Sequence, residues 1–236
     1  MKYYPDNKTS SYVTKLPKRL QLDGEWEVGL AEIKYPHTWY NIREGRNYIE
    51  ISPPGSQHFD PIEISPGYYK TTGSIASALH KKGLGNFTDV LLMYDDTSKR
   101  MTITCLSGSR LILRGDIAKT FGYKEGTQIE NKDNKGFTLA FPGTGNQYFY
   151  VYTDIIRGQY HGDVVVPVLR TVTMKGDHGD YISKNFERPH YVPLSQTSFD
   201  TIAINIRDEA GDLVAFEHGK VSITLHFRRS KTHFYI

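Results

Sequence analysis

Hydrophobic and polar residues alternate with a period of two in many short segments of this chain, which is the pattern of β-strands. Near the start, Trp26, Val28 and Leu30 share one face of such a segment. After Leu30 the phase breaks, because Glu32 falls on the apolar side and Ile33 on the polar side. One extra residue in a strand shifts the faces in this way, so the sequence predicts a β-bulge or a change of sheet here.

The same reading along the whole chain predicts roughly eight to ten strands, many of them short, with turn residues between them. Two brief helices are expected, over residues 72–82 and 116–121, where apolar positions recur at helical spacing. Residues 90–94 and 101–106 are predicted to form a hairpin. This content predicts an all-β fold, an antiparallel sandwich that is most simply a jelly roll.

The changes in pattern predict three parts. Residues 1–19 are polar, without a clear period, and are expected to be an extended arm that lies across its own domain or across a neighbour. Residues 20–66 and 124–236 are expected to form the jelly-roll domain. Residues 67–123 are expected to be an inserted helix–hairpin–helix unit within it.

Composition narrows the possible classes of protein. The chain has 236 residues, 13% of them aromatic, and a formal net charge of +3. Such a small, mixed charge does not indicate a dedicated nucleic-acid binder. The lone Cys105 excludes an internal disulfide framework and a multi-cysteine zinc site, and its alternating surroundings predict a buried thiol. Without an apolar run of membrane length or an amino-terminal signal pattern, neither a membrane span nor secretion is expected.

No set of catalytic residues follows from the motifs, so we do not expect an enzyme, a cofactor or a metal. The chain has no G-x-S-x-G and no H-E-x-x-H. Residues 143–145, Gly-Thr-Gly, indicate a turn. Asp177, His178 and Asp180, with Asp163 upstream, could supply metal ligands. Their spacing matches neither an EF-hand nor a zinc motif, so a solvated loop is the favoured interpretation.

Two further motifs have both a structural and a functional interpretation. Arg114, Gly115 and Asp116 spell the tripeptide that integrins recognise, a possible cell-attachment site. Since the tripeptide joins an apolar strand directly to a short helix, a structural role is favoured, with the aspartate capping the helix. Asn7 and Asn86 begin glycosylation patterns that are expected to be unused without a secretory signal.

Several segments together resemble a known family, the penton or minor capsid proteins of Polinton/Maverick elements and related adinto-type viruses. No one of these segments is diagnostic, but their order and spacing are similar to those of the family. They cover residues 16–17, 22–39, 152–156, 167–170, 189–193 and 199–229.

The resemblance implies a jelly-roll subunit that assembles into pentamers at icosahedral five-fold vertices, beside double-jelly-roll major capsid subunits. It implies a place in the virion capsid, after synthesis in the host cytoplasm or nucleus. The basic carboxyl-terminal cluster, Arg228, Arg229 and Lys231, could then make a weak contact with packaged DNA, although solvated termini remain the simpler interpretation.

A jelly-roll ligand-binding module, lectin-like or receptor-binding, remains the alternative. Trp39 and Tyr40, in the aromatic corner that ends the first long strand, could stack on a sugar if they were exposed. A structural corner requires the opposite, so we expect Trp39 to be buried and Trp26 to lie in the core of the sandwich.

Overall fold

The computed structural model describes residues 4–130, 133–141 and 148–230. It divides into two compact units. Unit 1 consists of Met1–Trp39 and Asn146–Ile236, and unit 2 of Tyr40–Gly145. Strands dominate both units, and each has its own hydrophobic core.

Unit 1 is a sandwich of two antiparallel sheets. One sheet has the strand order β1–β16–β10–β13, and in the other the central strand β2 pairs with β17 along one edge and with β14 and β15 along the opposite edge. A separate two-stranded sheet joins β11 to β12. The strands are β1 (Ser11–Gln21), β2 (Trp26–Pro36), β10 (Tyr148–Thr153), β11 (Gln159–His161), β12 (Val164–Val166), β13 (Val168–Thr173), β14 (Tyr181–Asn185), β15 (Tyr191–Pro193), β16 (Ser198–Arg207) and β17 (Ser222–Arg229).

The predicted phase break in β2 is a β-bulge. Leu30 pairs with Leu225 and Glu32 with Thr224, so Ala31 has no partner on β17. The extra residue turns Ile33 and Tyr35 to the side that Val28 and Leu30 face, and all four are fully buried in the core. The bulge therefore keeps one long strand facing the core along its whole length.

The all-β, jelly-roll-like fold class is confirmed. The first two strands of unit 1 pair with its last two, β1 with β16 and β2 with β17, so that chain segments distant in sequence close both sheets. In the first sheet, β10 lies between β16 and β13 and pairs with both.

Unit 2 holds two small antiparallel sheets and the helices around one core. The strand orders are β4–β3–β7–β8 and β5–β6–β9. The elements are β3 (Tyr48–Ser52), β4 (Asp60–Glu63), α1 (Thr72–Lys81), the 3-10 helix η1 (Leu84–Asn86), β5 (Val90–Asp95), β6 (Arg100–Cys105), β7 (Arg110–Leu113), α2 (Gly115–Thr120), β8 (Gln128–Glu130) and β9 (Asp133–Lys135).

Local sequence explains the longer helix. Thr71 caps α1 by accepting a hydrogen bond from the Ser74 amide, 3.0 Å from oxygen to nitrogen, and the Ser74 hydroxyl lies 3.3 Å from the Thr71 amide. This capping box satisfies amides that the first helical turn leaves free. Ile75 and Leu79, one turn apart, bury the inner face. Both predicted helices and the β5–β6 hairpin are present as expected.

The units differ in their bounds from the expected domains. Tyr48–Ser52 and Asp60–Glu63, placed by the sequence in the jelly roll, lie in the sheet of unit 2 because β3 pairs with Arg110–Leu113. From Ser11 onward the amino-terminal segment is β1, which pairs with β16 of its own unit. Its apolar side chains pack against the unit 1 core.

Candidate assembly surfaces

Arg114 and Gly115, the first two residues of the integrin-type tripeptide, are held by neighbouring side chains and backbone. Arg114 precedes α2 as its N-cap residue and donates to the Glu50 carboxylate, 2.7 Å from Nη2 to Oε2. Gly115 has a φ of +51°, and a Cβ there would lie 2.5 Å from the carbonyl oxygen of Arg46. Only glycine combines this backbone conformation with so close an approach.

Asp116, the third residue, lies inside unit 2 with only 3% of its surface exposed. Its carboxylate accepts hydrogen bonds from the Arg43 guanidinium at 2.8 and 2.9 Å and from Arg46 Nε at 3.0 Å. Burial raises the pKa of Asp116, but these charged hydrogen bonds outweigh it and hold the pKa below its usual value. In place of the expected helix cap, Asp116 ties α2 to the segment before β3.

An integrin-type ligand needs a free aspartate on a protruding loop. With its carboxylate buried and taken up by two arginines, Asp116 is not displayed in this structure. The structure therefore places the tripeptide in packing and ion-pair contacts within unit 2.

The aromatic corner is also structural. Trp39 is 3% exposed, stacks on His37 with ring centroids 4.2 Å apart, and meets Phe216 edge-on. The burial expected for Trp39 is confirmed, and this ring offers no face to a sugar. Trp26 is half-buried at the margin of the same core, where Arg229 lies over its ring.

The side chains considered for metal binding do not converge. Asp180 accepts a hydrogen bond from the Asp177 amide, and His178 lies edge-on to His37, while Asp163 is in the turn between β11 and β12. Among the residues described by the structure, no group of three or more His, Cys, Asp or Glu side chains is placed to hold a metal ion.

Two smaller expectations concern Cys105 and the basic end. Cys105 is fully buried as expected, and burial raises the pKa of its thiol to about 11.

At the basic carboxyl-terminal end, Arg228 pairs with Glu27 at 2.9 Å and lies 3.5 Å from the ring centre of Tyr191. Lys231 lies outside the described residues. No described helix has the length and apolar character that a membrane crossing requires.

Among the described residues of unit 1, the most exposed large apolar side chain is Tyr160, on the β11–β12 hairpin. Gly162, with a φ of +63°, and Asp163 form its two-residue turn, where glycine at the first position suits a type II′ geometry. Tyr160 and Val165 face each other across the hairpin and are 87% and 58% exposed. Sequence reasoning missed this surface because alternation identifies a strand but not the face that stays uncovered.

The hairpin needs support because two strands alone are only marginally stable in water. One ring contact joins the hairpin to the sheet that contains β10. The ring of His161 lies edge-on to the ring of Tyr150, with 5.0 Å between the centroids. Within the described ranges, β11 and β12 pair with no other strand. The hairpin thus presents an apolar pair and open strand edges together, the two properties that association between chains uses.

Unit 2 has a second exposed apolar region. Leu91 and Met93 of β5 are 44% and 50% exposed, and Phe137, Leu139 and Phe141 also carry exposed side chains. The amide of Ala140 donates to the carbonyl of Lys99, which holds the last segment beside the β5–β6 hairpin.

Comparison with solved structures finds a distant similarity of fold. The chain resembles the mavirus penton protein. That crystal structure shares 12% sequence identity with this chain, with a TM-score of 0.48, and the match covers 93% of this chain and 91% of the other. The similarity is distant. No protein-family model matches the sequence, and no curated protein matches it.

Proposed function

We propose that this chain is a structural capsid protein, a penton-type subunit that assembles into pentamers at the five-fold vertices of an icosahedral shell. The β11–β12 hairpin carries the proposal, because it exposes Tyr160 and Val165 beside unpaired strand edges. The penton-like order of sequence segments, including residues 22–39 and 199–229, supports the type of subunit. No catalytic role is assigned to the chain.

Ring formation requires two different surfaces on each subunit, since every copy contacts the next head to tail. A protruding hairpin suits one half of such a contact, because its apolar pair becomes buried only when another chain covers it. Tyr160 is the best candidate for the energetic centre of this contact, since tyrosine is enriched among residues that dominate interface energies.

The remaining partners belong to the same proposal. Double-jelly-roll major capsid subunits would surround each vertex, within a virion capsid assembled in the host cytoplasm or nucleus. A contact of the basic end with packaged DNA would be weak. Arg228 is already paired with Glu27, and few charges remain to release counterions from DNA.

Mass photometry and negative-stain imaging of the purified chain test the proposal. The expected result is a pentameric ring that dissociates when Tyr160→Ser and Val165→Ser are combined. Tyr181→Ser is the matched control because Tyr181 is also exposed, at 58%, on another strand of unit 1, and its rings should persist. A wild-type chain that stays monomeric at micromolar concentration and binds glycans would overturn the proposal in favour of a ligand-binding module.

A further inference from the structure

Strand β5 has an edge that the described residues leave unpaired. It pairs only with β6 within these residues, and its sequence, VLLMYD, contains no lysine or proline. Natural sheets usually protect such edges with charged residues, prolines or bulges, because an open apolar edge templates pairing with another chain. The exposed side chains of Leu91 and Met93 make this edge apolar as well as open.

The hydrogen-bond phase shows which backbone groups face outward. The amide of Leu106 donates to the carbonyl of Asp89, so Asp89 and every second residue after it bond to β6. The N–H and C=O groups of Leu92 and Tyr94 therefore point to the open side, as does the C=O of Val90. The edge thus offers two donors and three acceptors in register for an added strand.

A groove of about 600 Å³ runs along this edge, between α1 and β5. Val90, Leu91 and Leu92 all line it, and consecutive strand residues alternate faces, so the groove follows the edge and not one face of the sheet. On the helix side it is lined by Ala76 and Ser77, whose small side chains leave room for a backbone. Leu84 and Phe87 add apolar surface.

We propose that this groove binds the carboxyl-terminal segment of a second copy of the chain, residues 231–236, as a strand added to the edge of β5. The inference rests on the proposed function, which supplies the second copy. The segment reads KTHFYI and lies outside the described residues. It follows directly after β17 and Ser230.

The sequence of the segment suits strand addition. Threonine, phenylalanine, tyrosine and isoleucine favour extended structure, and Thr232, Phe234 and Ile236 would share one face of a strand. That face would cover the apolar groove, while the backbone would pair with Leu92 and Tyr94. Main-chain hydrogen bonds supply affinity and alternate side chains supply specificity in this mode of recognition.

A single extended segment fits this groove better than the β5 edge of another folded copy. The helix wall of α1 lines the opening beside the edge, so a second β5 would bring its own α1 into the same space. A free segment brings only its backbone and side chains. We therefore assign the groove to an exchanged segment and not to symmetric pairing of two β5 strands.

The test uses the full-length chain with Phe234→Ser and Ile236→Ser, which disable its own segment. A fluorescent peptide with the sequence of residues 229–236 is titrated into it, and anisotropy reports binding. Saturable binding is expected, with at least tenfold weaker binding of a scrambled peptide. Absence of saturable binding up to about 1 mM peptide would overturn the inference, since such an affinity is negligible.

Three variants in the same background locate the site. Tyr94→Pro removes one outward donor at a position where an edge strand tolerates proline, and should weaken binding about fivefold. Ser77→Trp fills the groove and should abolish binding. Leu139→Lys is the control, because Leu139 is also an exposed apolar residue of unit 2, at 59%, but neither lies on β5 nor lines the groove. Its affinity should stay within about twofold. Equal affinity of all three variants, with unchanged circular dichroism, would place the peptide elsewhere and overturn the inference.

The result is independent of ring formation. If the variant binds the peptide but the wild-type chain forms no rings, the penton proposal is refuted and the groove remains a peptide site. Rings from a chain that does not bind the peptide would refute the groove assignment alone.

Discussion

At the scale of single residues, unit 2 depends on a buried carboxylate. Asp116 is surrounded by Arg43 and Arg46, each 43–49% exposed at its side chain, while its own side chain is 5% exposed. Removal of one partner from a buried ion pair leaves the others without compensation. This makes Asp116 more important for stability than any exposed ion pair nearby.

Asp116→Asn should lower the free energy of unfolding by about 2 kcal/mol, because it weakens charge-assisted hydrogen bonds to two half-exposed arginines. The matched control is Asp96→Asn, because Asp96 is 88% exposed in its pair with Lys99, and it should change stability by less than about 0.5 kcal/mol. Urea unfolding followed by far-UV circular dichroism measures both changes. Tryptophan fluorescence would not report on unit 2, because Trp26 and Trp39 both lie in unit 1. Equal losses in the two variants would contradict the role given to Asp116.

The same carboxylate gives unit 2 an acid sensitivity. Because the pKa of folded Asp116 is lowered, its stabilisation is present above the ordinary carboxyl pKa and is lost as pH falls through the folded pKa. Asp116→Asn should flatten the dependence of stability on pH in this acid range, and Asp96→Asn should not. Unfolding curves from pH 5 to pH 2 provide the comparison.

His37 gives unit 1 a response at milder pH. Burial lowers the pKa of His37, assisted by nearby His178, while the Gly176 carbonyl, Asp177 and Asp180 oppose the shift. The stabilisation from neutral His37 is therefore present above about pH 6.5 and is lost as pH falls through the folded pKa.

His37→Phe keeps a ring against Trp39 and removes the titrating group. Its melting temperature should fall less between pH 7 and pH 5 than that of the wild type. His58→Gln should retain the wild-type slope, because the His58 side chain is 81% exposed. A slope unchanged in His37→Phe would show that His37 is not the titrating group.

At the scale of elements, the junction between β7 and α2 depends on backbone fit. Gly115 and Gly45 both have positive φ, +51° and +71°, but only a Cβ at Gly115 would meet neighbouring backbone. Strain of the left-handed conformation costs each substitution about 1 kcal/mol, and the clash adds to it only at Gly115.

Gly115→Ala should therefore destabilise unit 2 by about 3 kcal/mol and Gly45→Ala by about 1 kcal/mol. Urea unfolding followed by circular dichroism separates them. Similar losses would mean that the chain shifts easily at Arg46 and that the close approach is not a constraint.

At the scale of the whole molecule, strand positions and the β5–β6 hairpin were predictable, but pairings between strands distant in sequence were not. The phase break in β2, the helix α1 and the buried Cys105 each follow from a local period or cap. The pairing of β3 with β7 joins residues about 60 positions apart, and no period records such a partner. For this reason local patterns suggested a boundary at residue 67, whereas the compact units divide at Tyr40.

Local sequence patterns also did not predict the exposed surfaces proposed for contacts. Tyr160 and Leu91 carry sequence signals that equally fit buried strands, and only the sheet order reveals that nothing described covers them. The tripeptide Arg114 to Asp116 was visible in the sequence, but in the fold its aspartate is buried and paired with arginines. Exposure depends on tertiary packing, so a short motif alone does not establish a contact site.

The pairing of the first strands with the last ones has a consequence during synthesis. β1 and β2 emerge early from the ribosome but cannot complete their sheets until β16 and β17 follow. Unit 2, which ends at Gly145, is complete on the order of ten seconds earlier at about 5–20 residues per second. An interrupted chain would therefore carry a finished unit 2 and an open unit 1, and only full translation would yield a subunit fit for assembly.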